Sequence, residues 1–180
     1  MSESTSNNRK LTSGEIILAT SVFGNAIDYT RVSVDRGSYF PFSLQNENTA
    51  VTPNGNSYFM PRHYQDDFLR AAPAYQHWFI YEMAHVWQHQ LGLNVKFRGA
   101  LSWAASYRYR LADHKLLSDY GMEAQASMIA DYFWLVRFGF SGFDFVSNLE
   151  GEERDTRLIK RYQWVMRGFI SHPSSRINLP

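Results

Sequence analysis

Apolar positions along the chain fall into four stretches with helical spacing, separated by shorter stretches that alternate. Thr12-Ser13-Gly14-Glu15 has the spacing of a helix capping box and opens the apolar run Ile16 to Phe23, which Gly24 ends. Val32 and Val34 alternate with polar residues between Ile27 and Arg36, the pattern of a half-buried strand. Pro53-Asn54-Gly55 marks a turn before a second strand at Ser57-Tyr58-Phe59-Met60. A small sheet ahead of the main helices follows from these signals.

The central helix is predicted from near Pro73, which is preorganised for a first turn, to Gly92. Ile80, Met83, Ala84 and Trp87 make its core stripe, and Trp78, Tyr81, Glu82, His85 and His89 share a neighbouring one. A second helix is predicted from about Asp119 to Phe138, with Gly139 as its stop. Met122, Ala126, Ile129, Phe133 and Val136 form its buried stripe, with Glu123 beside it. A last helix, from about Glu152 to Ile170, is built on Leu158, Tyr162, Val165 and Phe169. Its acidic start and basic later residues suit the helix dipole. Trp103 and the alternation Ser106 to Arg110 read equally as an edge strand or the wall of a cleft. The expected class is α+β, with residues 11–180 as one domain behind a Ser/Asn-rich mobile tail, residues 1–10.

Composition narrows this picture modestly. At 180 residues the chain can bury a core without staples, and 44% hydrophobic with 16% aromatic residues fits a packed globule. A net charge of +1 supplies no electrostatic footprint for nucleic acid or an anionic membrane. With no cysteine, disulfides and thiolate metal sites are excluded. The first ten residues lack an apolar signal region, and no apolar run is long enough to span a bilayer. The expectation is a protein made in the cytoplasm, with export by a route that needs no signal peptide still open.

The candidate chemistry lies in Tyr81-Glu82-Met83-Ala84-His85. In the pattern His-Glu-x-x-His, two imidazoles four residues apart reach one metal while the glutamate serves as proton shuttle. Here tyrosine stands in the first ligand position. His85 is then a candidate zinc ligand and Glu82 a candidate catalytic base. Glu123, 38 residues after His85 on the next strong helix, is the best candidate for a third ligand. Ionising a free phenol of pKa ~10 at pH 7 costs roughly 4 kcal/mol, so Tyr81 is either an atypical ligand or a protonated stand-in bonded to Glu82 or Glu123.

His77 and His89 bracket the motif at four-residue steps. A metal shifted toward His89 would have Val86 where the shuttle belongs. His63, His114 and His172 read as surface or loop residues, with His114 a weak candidate for orienting a carbonyl. Asp131 is either support for the site or solvent-facing. The plain alternative is that Glu82 and His85 form only a core hydrogen bond.

Phe79 to Gln88 resembles the zinc helix of gluzincin metallopeptidases, whose third ligand is a glutamate on a following helix. More narrowly, Phe23 to Tyr29, Thr52-Pro53-Asn54-Gly55-Asn56, and Glu123 to Ala126 with Asp131-Tyr132-Phe133 resemble the zincin-like Vgr-related proteins found with type VI secretion systems. The resemblance covers roughly residues 12 to 138. It implies a zincin-like fold, zinc held by His85, Glu123 and the group at position 81, and Glu82 as base. It also implies hydrolysis of a protein or peptide substrate, secretion-machinery proteins as partners, and a role as exported effector or toxin. The alternative in the same fold is a pseudoenzyme acting as a binding or adaptor module.

Overall fold

The computed structural model describes residues 8–40, 45–96 and 106–180. Residues 1–7 of the expected tail, and Trp103 of the expected cleft wall, lie outside that range. Four short strands, β1 (Asn8–Lys10), β2 (Ser33–Arg36), β3 (Ala50–Val51) and β4 (Ser57–Phe59), form one sheet in the order β1-β2-β4-β3. β1 runs antiparallel to β2, β2 parallel to β4, and β3 antiparallel to β4, with Val34 opposite Ser57 and Val51 opposite Tyr58. The helices are α1 (Ser13–Phe23), α2 (Pro73–Gln90), α3 (Met122–Phe138), α4 (Phe143–Val146), α5 (Thr156–Val165) and α6 (Arg167–Ser171).

The capping box at the head of α1 forms as its residues predict. Thr12 Oγ1 accepts from the Glu15 amide at 3.0 Å, and the Glu15 carboxylate accepts from the Thr12 amide at 3.0 Å. That carboxylate is fully buried and also takes both terminal nitrogens of Arg9 at 2.8 Å. This ion pair explains a departure from expectation. Asn8–Lys10, placed in the tail by composition, instead pairs with β2 because Arg9 is fixed to Glu15, Tyr64 and the Gln65 carbonyl.

The pair α2 and α3 organises the core. Ile80, Met83, Ala84 and Trp87 are all fully buried, as their spacing predicts. Phe59 from the sheet packs on Phe68, which stacks on Phe79 of α2, with ring centroids 4.6 and 5.1 Å apart. On the other side Trp87 meets Phe23 of α1 and Phe169 of α6. Burying such rings dominates the energetics of a core this size, at roughly 25 cal/mol per Å² of apolar surface.

Two helical expectations change. α3 begins at Met122 because residues Leu117–Asp119 close a separate 3-10 turn. Its stripe also ends early. α2 and α3 are antiparallel, so the first residue of α2 lies opposite about position 135, and Val136 falls past that overlap, 65% exposed. The last helix is broken at Met166 into α5 and α6. Met166 is fully buried, and Gly168 lies so close to Asn178 that a Cβ there would stand 2.9 Å from its Oδ1. Tyr109 makes a single parallel bridge with Leu149 rather than a strand. Among the described residues no helix is long and apolar enough to cross a membrane.

Candidate functional site

Antiparallel packing brings the middle of α2 against the first turn of α3, and the predicted residues meet there. Tyr81 donates its phenolic proton to Glu123 Oε2. His85 Nε2 approaches the same oxygen at 3.1 Å. The two rings stand edge to face, centroids 4.9 Å apart. Glu123, on a different helix from the motif, is therefore the point where all three side chains converge.

Glu82 lies alongside but takes its own partner. Its Oε2 accepts a 2.7 Å hydrogen bond from Thr52 Oγ1, and Thr52 is in turn 3.0 Å from Ser57 Oγ. Thr52 is delivered by the turn Pro53-Asn54-Gly55, which passes so near α2 that a Cβ at Gly55 would be 2.6 Å from the His89 ring. Gly55 also holds φ +83, a backbone conformation that favours glycine. His85 Nδ1 is 2.8 Å from Gln88 Oε1, one turn on.

Burial sets the electrostatics. Tyr81 is held well above the ordinary phenol value of 10.0, first by burial and then by the charges of Glu123 and Glu82. It is a neutral donor. Burial alone would lower His85, but the hydrogen bond and charge of Glu123, with Glu82 and Gln88, outweigh it and raise the imidazole above 6.5. Burial likewise pushes Glu123 up, yet the hydrogen bonds and charge supplied by His85 and Tyr81 leave it below 4.5. The resulting set is a neutral phenol, a carboxylate and an imidazole whose charged form is favoured, closed on one oxygen. Glu82 goes the other way, raised from 4.5 by burial and Glu123 against the opposing pull of His85 and Thr52. It is the site's readily protonated carboxyl.

These groups floor a cavity of about 220 Å³ whose walls include Tyr39, Phe40, Val51, Pro53, Val95, Tyr107 and Met122, with Lys96 on the lining. Lys96 Nζ lies 5.5 Å from the Tyr39 ring centroid.

A tetrahedral zinc site needs three protein ligands about 2.0–2.2 Å from the ion, which sets the ligand atoms roughly 3.3 Å apart. His85 and Glu123 stand at a compatible distance. Tyr81 does not fit: its oxygen is hydrogen-bonded directly to Glu123, and its surroundings oppose the phenolate a metal needs. Among the described residues no three His, Cys, Asp or Glu side chains converge as a ligand set.

The remaining candidates separate clearly. His77 is bound to Asp131 at 2.8 Å, away from Glu123, and Asp131 is fully buried rather than solvent-facing. His89 is exposed and does not line the cavity, so α2 offers no shifted pair. His114 and His172 are exposed, and His63 packs on Trp78 and Tyr75. Tyr107 lines the cavity 6.5 Å from Tyr81, which supports the cleft-wall reading of its segment. Thr52, Gln88 and Gln125 escape sequence reasoning. Each lies within a segment that carries the resemblance, which assigns it no role.

No family model matches the chain. Over 133 residues it is 41% identical to the type VI secretion system spike protein VgrG2b of Pseudomonas aeruginosa. That match covers 69% of this chain and 13% of the spike protein, so the chain spans about an eighth of that relative's length. The solved effector domain of Pseudomonas aeruginosa VgrG2b is similar at a TM-score of 0.66 and 37% identity, over 79% of this chain and 84% of that one.

Proposed function

We infer that this chain, which belongs to the family of the VgrG2b effector domain, is a type VI secretion effector domain on a zincin-like peptidase scaffold, its metal position closed by Tyr81. In this state the site binds rather than cleaves. One observation carries the reading: Tyr81 donates to Glu123 Oε2 and His85 Nε2 closes on the same oxygen, so the atoms that would hold an ion face each other. Secretion-machinery proteins are the proposed partners, and export needs no signal peptide.

The pocket then recognises its ligand by shape and by few polar groups. Tyr39, Phe40 and Tyr107 offer flat aromatic walls, and Glu82 offers a carboxyl that is donor or acceptor according to its protonation. A protein or peptide side chain is the ligand class that these walls suit.

The test is metal content. Purified protein equilibrated with zinc and then dialysed is expected to retain under about 0.1 ion per chain, and Tyr81→His about one. One tightly held zinc in the unaltered protein would sink the binding-module reading.

A second reading is favoured by Glu82 itself. A buried carboxyl of raised pKa, aimed by Thr52 and beside His85, is what a general base needs. On that reading the domain is a zinc-dependent hydrolase of peptide or amide bonds with His85, Glu123 and Tyr81 as ligands. It requires peptide cleavage by the unaltered protein that Glu82→Gln abolishes.

A further inference from the structure

Behind His85 lies a chain of buried amides whose direction can be settled by counting donors and acceptors. Gln125 Nε2 is 2.8 Å from the Leu117 carbonyl and 2.9 Å from the Asn178 carbonyl. Carbonyl oxygens only accept, so the NH2 group of Gln125 must face them and its oxygen must face Gln88. Gln88 Nε2 donates to that oxygen at 3.1 Å and to the Met122 carbonyl at 3.0 Å. Both Gln88 hydrogens are thereby used, and only its oxygen is left for His85 Nδ1, at 2.8 Å. Nδ1 must therefore carry a proton.

We propose that Gln88 and Gln125 are positioning residues, forming a relay anchored on the C-terminal segment that fixes the proton on His85 Nδ1 and presents Nε2 to Glu123 and the cavity. Gln88 and Gln125 are fully buried, so a wrong amide orientation has no water to rescue it and sets donor against donor. The relay also holds Glu123 in place, because Met122, whose carbonyl Gln88 grips, is the residue before it in α3.

The anchor at Asn178 is itself built. Asn178 Nδ2 donates to the carbonyls of His172 and Ser175 at 2.9 and 3.1 Å. Trp87 of α2 ties the same segment down by donating to the Pro173 carbonyl at 2.7 Å. Leu179 packs with Leu93, Val95 and Met122, two of which line the cavity. Residues 172–179 thus back the site although none lines the cavity. This assignment does not depend on whether Nε2 faces a metal or only Glu123.

Nitrogen-15 side-chain spectra of the unaltered protein test it, with the His85 signals identified by their loss in His85→Asn. Nδ1 is expected to be protonated at every pH at which the fold persists. An unprotonated Nδ1 overturns the proposal, and this measurement needs no destabilising variant. Gln88→Met, checked for folding by circular dichroism and compared with the unaltered protein at a pH where the ring holds a single proton, is expected to shift the ring toward the Nε2–H form. An unchanged ring in the folded variant also overturns the proposal, because a merely structural glutamine would alter stability without moving the tautomer. In a Tyr81→His background, adding Gln88→Met is expected to weaken zinc binding by about 10- to 100-fold, the usual weight of a group that orients a ligand.

Discussion

α2 and α3 are joined by two rungs of the same chemical type, eight residues apart on both helices: His77 with Asp131, and His85 with Glu123. At the first rung four polar groups surround the carboxylate, one on Oδ1 and three on Oδ2. Asp131 takes His77 Nε2 at 2.8 Å, the Tyr109 hydroxyl at 2.6 Å, and Ser147 Oγ and the Asn148 amide at 3.1 Å. Tyr109 continues to Tyr162, and burial with the Asp131 charge holds its phenol well above 10.0. At the second rung two donors crowd onto a single Glu123 oxygen, and the assembly faces a cavity. A histidine–carboxylate pair between helices is thus a structural tie when neighbours from several elements bond both of its oxygens. It becomes a candidate site when one side is left open.

The sharpest way to break this comparison is to remove each carboxylate. Asp131→Ala strands three donors besides His77 around a fully buried position. Each buried donor left unpaired costs about 1–3 kcal/mol, so a loss of about 3–5 kcal/mol is expected, or on the order of 10 °C in melting temperature at this chain length. Glu123→Gln keeps an acceptor for Tyr81 beside the cavity and is expected to cost about 1–2 kcal/mol. Urea denaturation of both variants checks the order. Equal losses would mean that the second rung is structural as well.

Tyr81→His is expected to raise zinc affinity by at least about 100-fold, since a direct ligand outweighs the 10- to 100-fold carried by ligand-orienting partners. Zinc at about 100 times its dissociation constant would then stabilise the variant by ~2.7 kcal/mol, readable as a melting shift absent from the unaltered protein. No rise in affinity would show that Glu123 and His85 are not placed as ligands.

The two rungs were unequally legible in the sequence. Tyr81, Glu82 and His85 share a helix face by spacing alone, and the periodicity of the next helix puts Glu123 on a surface able to meet them. Asp131 could be read either way, because its burial depends on Tyr109 and Asn148, far away in sequence, arriving around it. The same holds for β1, whose polar residues carry no strand signal and are ordered by Arg9 reaching Glu15. Helix starts with local causes were readable: the Thr12–Glu15 box and Pro73. The break at Met166 was not, since it reflects packing against the C-terminal segment. Gln88 and Gln125 leave no trace in spacing, because a glutamine acts by which way its amide faces.

pH separates the site's groups by sign. His85 is raised, so its contribution is full below the unfolded value of 6.5 and is lost as pH rises through the folded one. Glu123 is lowered, so its contribution is full above 4.5 and is lost as pH falls through its folded value. The second rung is therefore worth most between about pH 4.5 and 6.5 and declines on both sides. The difference in stability between the unaltered protein and Glu123→Gln, measured by urea titration across pH, should peak in that window. A flat difference would show that the imidazolium and carboxylate are not coupled.

The smallest expected effect tests whether Glu82 belongs with the open rung. Thr52→Val keeps the side chain's shape while removing the one hydroxyl that bonds the Glu82 carboxylate. Stranding a buried, permanently charged group would cost several kcal/mol. Glu82 has an escape, because its pKa is already raised and losing Thr52's donor raises it further. Protonation caps the penalty, and the expected loss near pH 7 is only about 1–2 kcal/mol, shrinking as pH falls and the carboxyl fills with its proton. Urea midpoints for this variant at pH 5 and pH 8 make the check. Equal losses at the two pH values would show that Glu82 keeps one protonation state across that range, and a larger loss at pH 5 that Thr52 favours its protonated form.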